Sequence, residues 1–437
     1  MPTASALSCS LLTATIVYSF LTLFAPTCSI ATTATFVDEP NKDLEALLCL
    51  KRHLSNNPKT LASWNDTLQF CSWPGVTCGK KHASRVTGLD LESLGLDGQI
   101  PPCIGNLTFL TTIHLRDNLL TGGIPSEVGH LRRLVKLSLQ SNNLTGAIPS
   151  SLSACSSLGS IDLGSNSLNG EIPTGLANCL NVTNIFLDRN ELHGSIPYGF
   201  GMLPKLSVLF LASNNLTGSI PYSIGSSSSL NYVVLTNNSL TGGIPPPLAN
   251  SSSLLVLDLE RNDITGEIPP ALLNSLTLTT INLARNNFWG SIPPFSQFSP
   301  LETLYLSNNN LSGSIPSSVG NSSSLQSLLL AANHIQESIP LTLSRIPNLQ
   351  LLDLTDNNLS GPVPASLYNI STLTYLGMGT NSLVGEIPAN FGNTLPNIQS
   401  FFVHGNKFHG RIPASMANAT DLKKISLHDN AFSGIIP

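Results

Sequence analysis

A proline returns every 24 residues along most of this chain, and that period decides what the chain can fold into. The series runs Pro101, Pro125, Pro149, Pro173, Pro197, Pro221, Pro245, Pro269 and Pro293, then Pro316, Pro340, Pro364, Pro388, Pro413 and Pro437, with one step of 23 and one of 25. An asparagine series keeps phase with it from Asn118 through Asn142, Asn166, Asn190 and Asn214 to Asn406 and Asn430; only the first unit breaks it, with Leu94. Fifteen such units make a repeat array, in which no unit buries its apolar face without a neighbour.

Each unit reads Leu-x-x-Leu-x-Leu-x-x-Asn-x-Leu-x-Gly-x-Ile-Pro, as from Leu206 to Pro221. In Leu209-Phe210-Leu211 the leucines point into the core and Phe210 points out, because successive side chains on a strand alternate between faces. Asn214 then sits at a sharp turn, where its amide is expected to satisfy backbone groups of its own coil and of the next. Strands stacked about 4.8 Å apart, coil upon coil, give a parallel sheet on the order of 65 Å long that lines a concave face.

Only 10% of the residues are charged, against about 25% in an average globular protein, so hydroxyls and amides must wet the surface. A net charge of −5 without any basic block argues against nucleic acid and anionic membranes as partners. Leu11 to Phe24 is almost wholly apolar, no charged side chain precedes Asp38, and Ser29-Ile30-Ala31 offers small residues for cleavage. Residues 1–31 therefore read as a signal peptide; the absence of an early Lys or Arg leaves an uncleaved signal anchor as the alternative. No later stretch reaches the run of about 18 apolar residues that a membrane span needs.

Cleavage there removes Cys9 and Cys28 and leaves six cysteines. Cys71 and Cys78 frame a short turn that one bridge closes in an oxidising compartment. Cys155 and Cys179 occupy a position where other units carry Leu, and they read as buried thiols acting as small hydrophobes rather than as a bridge. Cys49 and Cys103 read as structural in the same way.

The Leu-x-Gly-x-Ile-Pro variant, the 24-residue period and the segments Asp43 to Leu48, Leu61 to Asn65 and Cys71 to Cys78 ahead of the array resemble the extracellular part of plant leucine-rich-repeat receptor-like kinases. Within that family the chain is most similar to the class containing the flagellin receptor and the rice bacterial-blight resistance kinase. The resemblance implies an α/β repeat solenoid, a plant-type superhelix with a parallel sheet on its concave face. A small helical N-terminal cap would span 38–82, and about fifteen repeats would span 83–437, the last of them truncated. It also implies an ectodomain, delivered through the secretory pathway to the cell surface, that binds a peptide or protein ligand and recruits a co-receptor kinase in defence or development signalling. No glycine-rich loop, His-Arg-Asp or Asp-Phe-Gly occurs, and no catalytic set or metal triad. The chain is therefore expected to be no enzyme and to take no cofactor. Since it stops at Pro437 in mid-repeat, it is expected to be a piece of a longer protein. A secreted decoy or inhibitor of cell-wall hydrolases shares the same repeat grammar and is the alternative.

Candidate ligand-binding residues lie at the outward strand positions. Phe186, Phe210 and Val234 stand four residues before the ladder asparagine in three successive coils, with Tyr232 beside them. Adjacent outward apolar groups suggest a partner; the competing reading is β-propensity alone. Charged candidates are Asp188 and Arg189 on one side, then Asp258, Glu260, Arg261 and Arg285, with Tyr305 beyond. Arg261 and Arg285, read as stacked on neighbouring strands, would hold a carboxylate jointly unless Asp258 and Glu260 already neutralise them. His404 and His428 share one position on adjacent coils, either as a pH-sensitive pair or as two exposed polar residues.

Glycosylation sequons occur at Asn65, Asn106, Asn143, Asn181, Asn215, Asn237, Asn250, Asn310, Asn321, Asn358, Asn369 and Asn418. Five of them (Asn106, Asn250, Asn321, Asn369 and Asn418) fall in one column, twelve residues before the ladder asparagine and away from the strand. Asn237 is expected on the concave strand, where a sugar would crowd the apolar group.

Overall fold

The computed structural model describes residues 39–437, apart from 58, 66 and 67; the expected signal peptide at 1–31 lies outside them. A helix, Glu39–Leu54, comes first and buries Ala46, Leu47, Leu50 and Leu54 in the same core as the coils that follow. The N–H groups of Gly98 and Gln99 donate to the carbonyls of Leu54 and His53, tying the helix end to the first coil. Asp43 is fully buried, which an unpaired carboxylate would not tolerate. It accepts two hydrogen bonds from the Arg85 guanidinium, at 3.1 and 3.2 Å, and one from the Val86 N–H at 2.8 Å. Trp64 stacks on Trp73 with ring centroids 5.3 Å apart.

The Cys71–Cys78 disulfide closes the turn that leads into the strand Val76–Cys78. A second disulfide joins Cys49 of the helix to Cys103 of the first coil, so these two are not the buried free thiols that the sequence suggested. The correction has a simple cause: the helix lies outside the repeat, and its register against the first coil cannot be read from a period. Cys155 and Cys179 remain free and buried, donating to the carbonyls of Val128 and Leu152.

The main sheet has sixteen strands; Val76–Cys78 pairs antiparallel, and the fifteen that follow, from Val86–Asp90 to Lys424–Ser426, are parallel and in chain order. Phe186 pairs with Phe210 and Phe210 with Val234, a register step of one repeat. In the parallel strands from Thr112–His114 to Ser400–Phe402 the middle residue is core: Ile185, Leu209 and Val233, for example, are fully buried. Beyond the turn, short second strands such as Asn215–Ser219 pair with their counterparts in neighbouring coils and make small parallel sheets. The repeat proline then presets the extended backbone that starts a short 3₁₀ helix, as Pro197 does for Tyr198–Met202.

The turn itself is built by the asparagine. Asn214 donates from Nδ2 to the carbonyls of Leu211 and Ala212 in its own coil and of Leu187 in the preceding one, at 3.0–3.3 Å. Its Oδ1 accepts the Leu192 N–H, again from the preceding coil. The amide therefore reaches backwards along the array, not to the next coil as expected. The backbone N–H of Asn214 is already spent on the following coil, at the Asn237 carbonyl, and the side chain faces the other way. The residue before each ladder asparagine, except Gly405, is a non-glycine held at φ between 51° and 58°, from Ser93 to Asp429. That left-handed turn costs about 1 kcal/mol per L-residue. It is held in place partly because its own N–H donates to the next coil, as Ser213 does to Thr236.

Replacing Asn214 by Ala would leave the buried Leu192 N–H unpaired and would take one donor each from the carbonyls of Leu187, Leu211 and Ala212, which keep those of Asn190, Asn238 and Arg189. We expect a loss of about 2–4 kcal/mol in urea unfolding, against less than about 0.5 kcal/mol for Ser195→Ala on the exposed second strand.

Candidate ligand-binding face

Two outward columns run along the concave sheet, one at each end of the three-residue strands. In one, Asp162, Phe186, Phe210, Val234, Asp258, Asn282 and Tyr305 are successive partners; in the other, Asn184, Val208, Tyr232 and Val256 are. Phe186 and Phe210 tilt against each other with centroids 5.5 Å apart. Tyr232 is 37% exposed, and the other members of the group are half-buried by one another. Phe186, Val208, Phe210, Tyr232, Val234 and Val256 thus make one contiguous apolar block across four coils. Val208 and Val256 were missed, although the strand alternation that singles out Phe210 marks them equally. Tyr305 lies outside the block, cut off by Asp258 and Asn282 in its own column.

The charged candidates sit differently from expectation. Arg189, Arg261, Arg285 and Asn237 occupy the left-handed turn position (φ 53–56°), past the strand end rather than on the strand. A three-residue strand leaves no room for them. Arg261 and Arg285 do not form a free carboxylate grip. Glu260 holds Arg285 at 3.6 Å through Oε1 and accepts the Asn282 amide on Oε2 at 3.1 Å, and Asp258 accepts the Glu260 N–H. Asn237 donates to the Ser213 hydroxyl at 3.2 Å, at the edge of the sheet rather than over the block.

Asp162 and Asp188, by contrast, have no Lys or Arg partner among the ion pairs of the described residues. Burial pushes both carboxyl groups above the ordinary aspartate range, and the nearby charge of Asp188 raises Asp162 further; hydrogen bonds from Ser138 and the Gly164 N–H partly offset this. Asp162 was not among the sequence candidates, since a lone acid in a serine-rich coil carries no mark of burial. A second aromatic contact also escaped notice: Tyr375 meets Phe402 edge-on at 5.5 Å, and its hydroxyl donates to Asp353 at 3.3 Å. His404 and His428 stack at 5.0 Å, with His428 Nδ1 at 2.8 Å from Asp429.

Burial raises the Cys155 thiol to about 11, far from a nucleophile's range, and among the described residues no group of three His, Cys, Asp or Glu converges as metal ligands. No described helix is long and apolar enough to cross a membrane. The five-sequon column lies at the C-terminal ends of the short helices, with Asn106, Asn321, Asn369 and Asn418 as last residues and Asn250 as a cap. All five are exposed and away from the concave sheet. Asn143, Asn215, Asn310 and Asn358 open second strands and are exposed too, as are Asn65 and Asn181.

Residues 40–79 match the leucine rich repeat N-terminal domain, and residues 109–131, 133–155, 157–179, 205–227, 229–251, 253–275, 300–322 and 348–370 each match the Leucine Rich Repeat. Over 105 residues, 24% of this chain and 10% of the relative, it is 45% identical to the LRR receptor-like serine/threonine-protein kinase EFR of Arabidopsis thaliana. Polygalacturonase inhibitor 1 of the same plant is 37% identical over 105 residues, covering 24% of this chain and 30% of the inhibitor. Among solved structures, the plant peptide hormone receptor RGFR1 in complex with RGF2 superposes with a TM-score of 0.75 at 34% identity, over 78% of this chain and 55% of that one. The matched stretch is thus a tenth of the kinase's length and little more than half of the solved receptor chain.

The raised carboxyl of Asp162 gives a signed stability prediction. A carboxylate whose folded value lies above its unfolded value of 3.8 subtracts stability once pH rises through the folded value, and nothing below the unfolded one. Asp162→Asn should therefore melt at or above the parent temperature near pH 7, and the difference should vanish near pH 3. A variant that melts lower at neutral pH would contradict this account.

Proposed function

We propose that this chain, which belongs to the plant leucine-rich-repeat proteins of the receptor-kinase kind, is the ligand-recognition ectodomain of a cell-surface receptor-like kinase. It takes an extended peptide or a protein flank on its concave sheet and presents an edge of the solenoid to a co-receptor. The observation that carries this reading is the apolar block around Phe186 and Phe210. Six outward side chains over four coils are apolar on a face otherwise furnished largely with Ser, Thr, Asn and charged groups. Such a block is not needed to stack the coils, which are filled by the inward leucines, and it offers desolvated anchor contacts to a partner. The likeness to a plant peptide hormone receptor solved in complex with RGF2 supports a peptide as the ligand.

The likeness to polygalacturonase inhibitors favours a second reading, a secreted inhibitor of cell-wall hydrolases. One experiment separates the two. The purified glycoprotein is offered an apoplastic peptide fraction and, in parallel, a polygalacturonase assay. The receptor reading expects peptide capture that falls about tenfold to a hundredfold in Phe186→Ser/Phe210→Ser, the range for losing one or two buried aromatic anchors. It also expects no inhibition of the hydrolase. Inhibition without peptide capture would replace it with the inhibitor reading.

A further inference from the structure

Gly164 stands two residues before its ladder asparagine, at the outward position that Asp188 fills in the next coil. With no side chain there, the neighbouring coil's carboxylate folds into the opening. A Cβ built on Gly164 would meet Asp188 Oδ1 at 2.8 Å and its carboxyl carbon at 3.3 Å. Asp162 borders the same opening from two residues upstream, and its column partner is Phe186. Its Oδ2 accepts the Ser138 hydroxyl at 3.2 Å, and its Oδ1 is shut off from solvent, with the Gly164 N–H as the only other donor beside the carboxylate among the described residues. Two carboxylates thus share a notch at the edge of the aromatic block, at a desolvation cost that no Lys or Arg of the described chain offsets by direct contact. Arg116 is taken by Glu92 and Asp117, and Arg189 acts on Asp188 without an ion pair.

The other acidic pair on this face provides the contrast. Asp258 and Glu260 are saturated by a backbone N–H, the Asn282 amide and Arg285. We infer that the notch over Gly164, walled by Asp162 and Asp188, receives a Lys or Arg side chain of the ligand, next to a large apolar ligand residue seated on Phe186 and Phe210. A guanidinium or ammonium there donates charge-assisted hydrogen bonds to the carboxylate oxygens other than the closed-off Asp162 Oδ1, and its stem and charge lie along the Phe186 ring. The spacing follows from the sheet. Coils lie about 4.8 Å apart, and extended residues two apart lie about 7 Å apart. A basic residue at the notch therefore puts the second residue along between the coils of Phe186 and Phe210. This inference rests on the concave-face reading and adds the class of ligand residue that the face selects.

Four blocked tripeptides test it: Arg-Gly-Phe, Arg-Gly-Ser, Glu-Gly-Phe and Glu-Gly-Ser, each titrated against the intact chain to about 5 mM, within reach of the millimolar affinities that a few contacts give. Saturation-transfer NMR reads the binding. Arg-Gly-Phe should bind at least about tenfold more tightly than Glu-Gly-Phe, as charge-assisted bonds to two carboxylates require. Asp162→Asn/Asp188→Asn should erase that ratio while leaving binding through Phe, and Phe186→Ser/Phe210→Ser should weaken both Phe peptides. Equal affinities of the Arg and Glu peptides, both still lowered by the phenylalanine variants, would overturn the basic-residue inference and leave the concave-face reading standing. Binding of the Phe peptides that ignores Phe186 and Phe210 would count against that reading itself. No signal from Arg-Gly-Phe over this range would overturn the inference.

Discussion

Everything presented on the concave face depends on the side-chain amide of one asparagine per coil. At the turn the chain reverses so sharply that carbonyls of two coils converge on one point, and the amide gives each of them a donor. For Asn214 those are the carbonyls of Leu187, Leu211 and Ala212, and its own oxygen takes the Leu192 N–H. Because two of these four bonds cross to the preceding coil, the ladder closes each turn and also fixes the offset between coils. A slip by one residue would strand both sets of partners and turn the leucines outward. Even Leu94, where the ladder is missing, is served by its neighbour: Asn118 Oδ1 accepts the N–H groups of Leu94 and Leu96.

That division of labour frees the outward positions. Core leucines and ladder asparagines hold the stack, so the side chains at the two ends of each short strand are under little structural obligation. They can be Phe in two coils, Val in the next, then Asp and then Asn without disturbing the register. The left-handed residue before each asparagine is the exception, since its backbone is constrained while its side chain is not. Ser, Asp, Asn, Arg and Thr all occur there. Arginines at that position are therefore held at the rim of the sheet, where Arg285 meets Glu260 of the preceding coil rather than a ligand lying over the centre.

The period, the inward leucines and the existence of the asparagine ladder were legible in the sequence because each repeats, and repetition exposes any feature that stacking demands. The placement of Phe186, Phe210, Tyr232 and Val234 followed from alternation alone. What escaped were features that do not repeat. The Cys49–Cys103 bridge joins a helix outside the array to its first coil, across 54 residues of sequence. The direction in which the amide reaches depends on the handed bend of the backbone, which composition does not encode. Asp162 stands out only once the neighbouring coil's Asp188 is seen folding over Gly164, a relation between three positions that no single repeat displays.

Charge on this sheet is sparse, and its distribution separates carboxylates that the fold uses from those it leaves strained. Asp43 is the most buried acid described, yet it is fully paired with Arg85 and the Val86 N–H, so its burial secures the cap. Asp258 and Glu260 spend their lone pairs on local groups. Asp162 and Asp188 are less buried than Asp43 but worse supplied, and the charge of Asp188 raises the cost of ionising Asp162. Stacking requires neither of them, since the position of Asp188 carries Ala212 and Ala284 in other coils and that of Asp162 carries Ser138 and Phe210. A cost that the scaffold does not need, placed against the one aromatic pair in that stretch of the face, is what a binding surface retains for its partner to relieve.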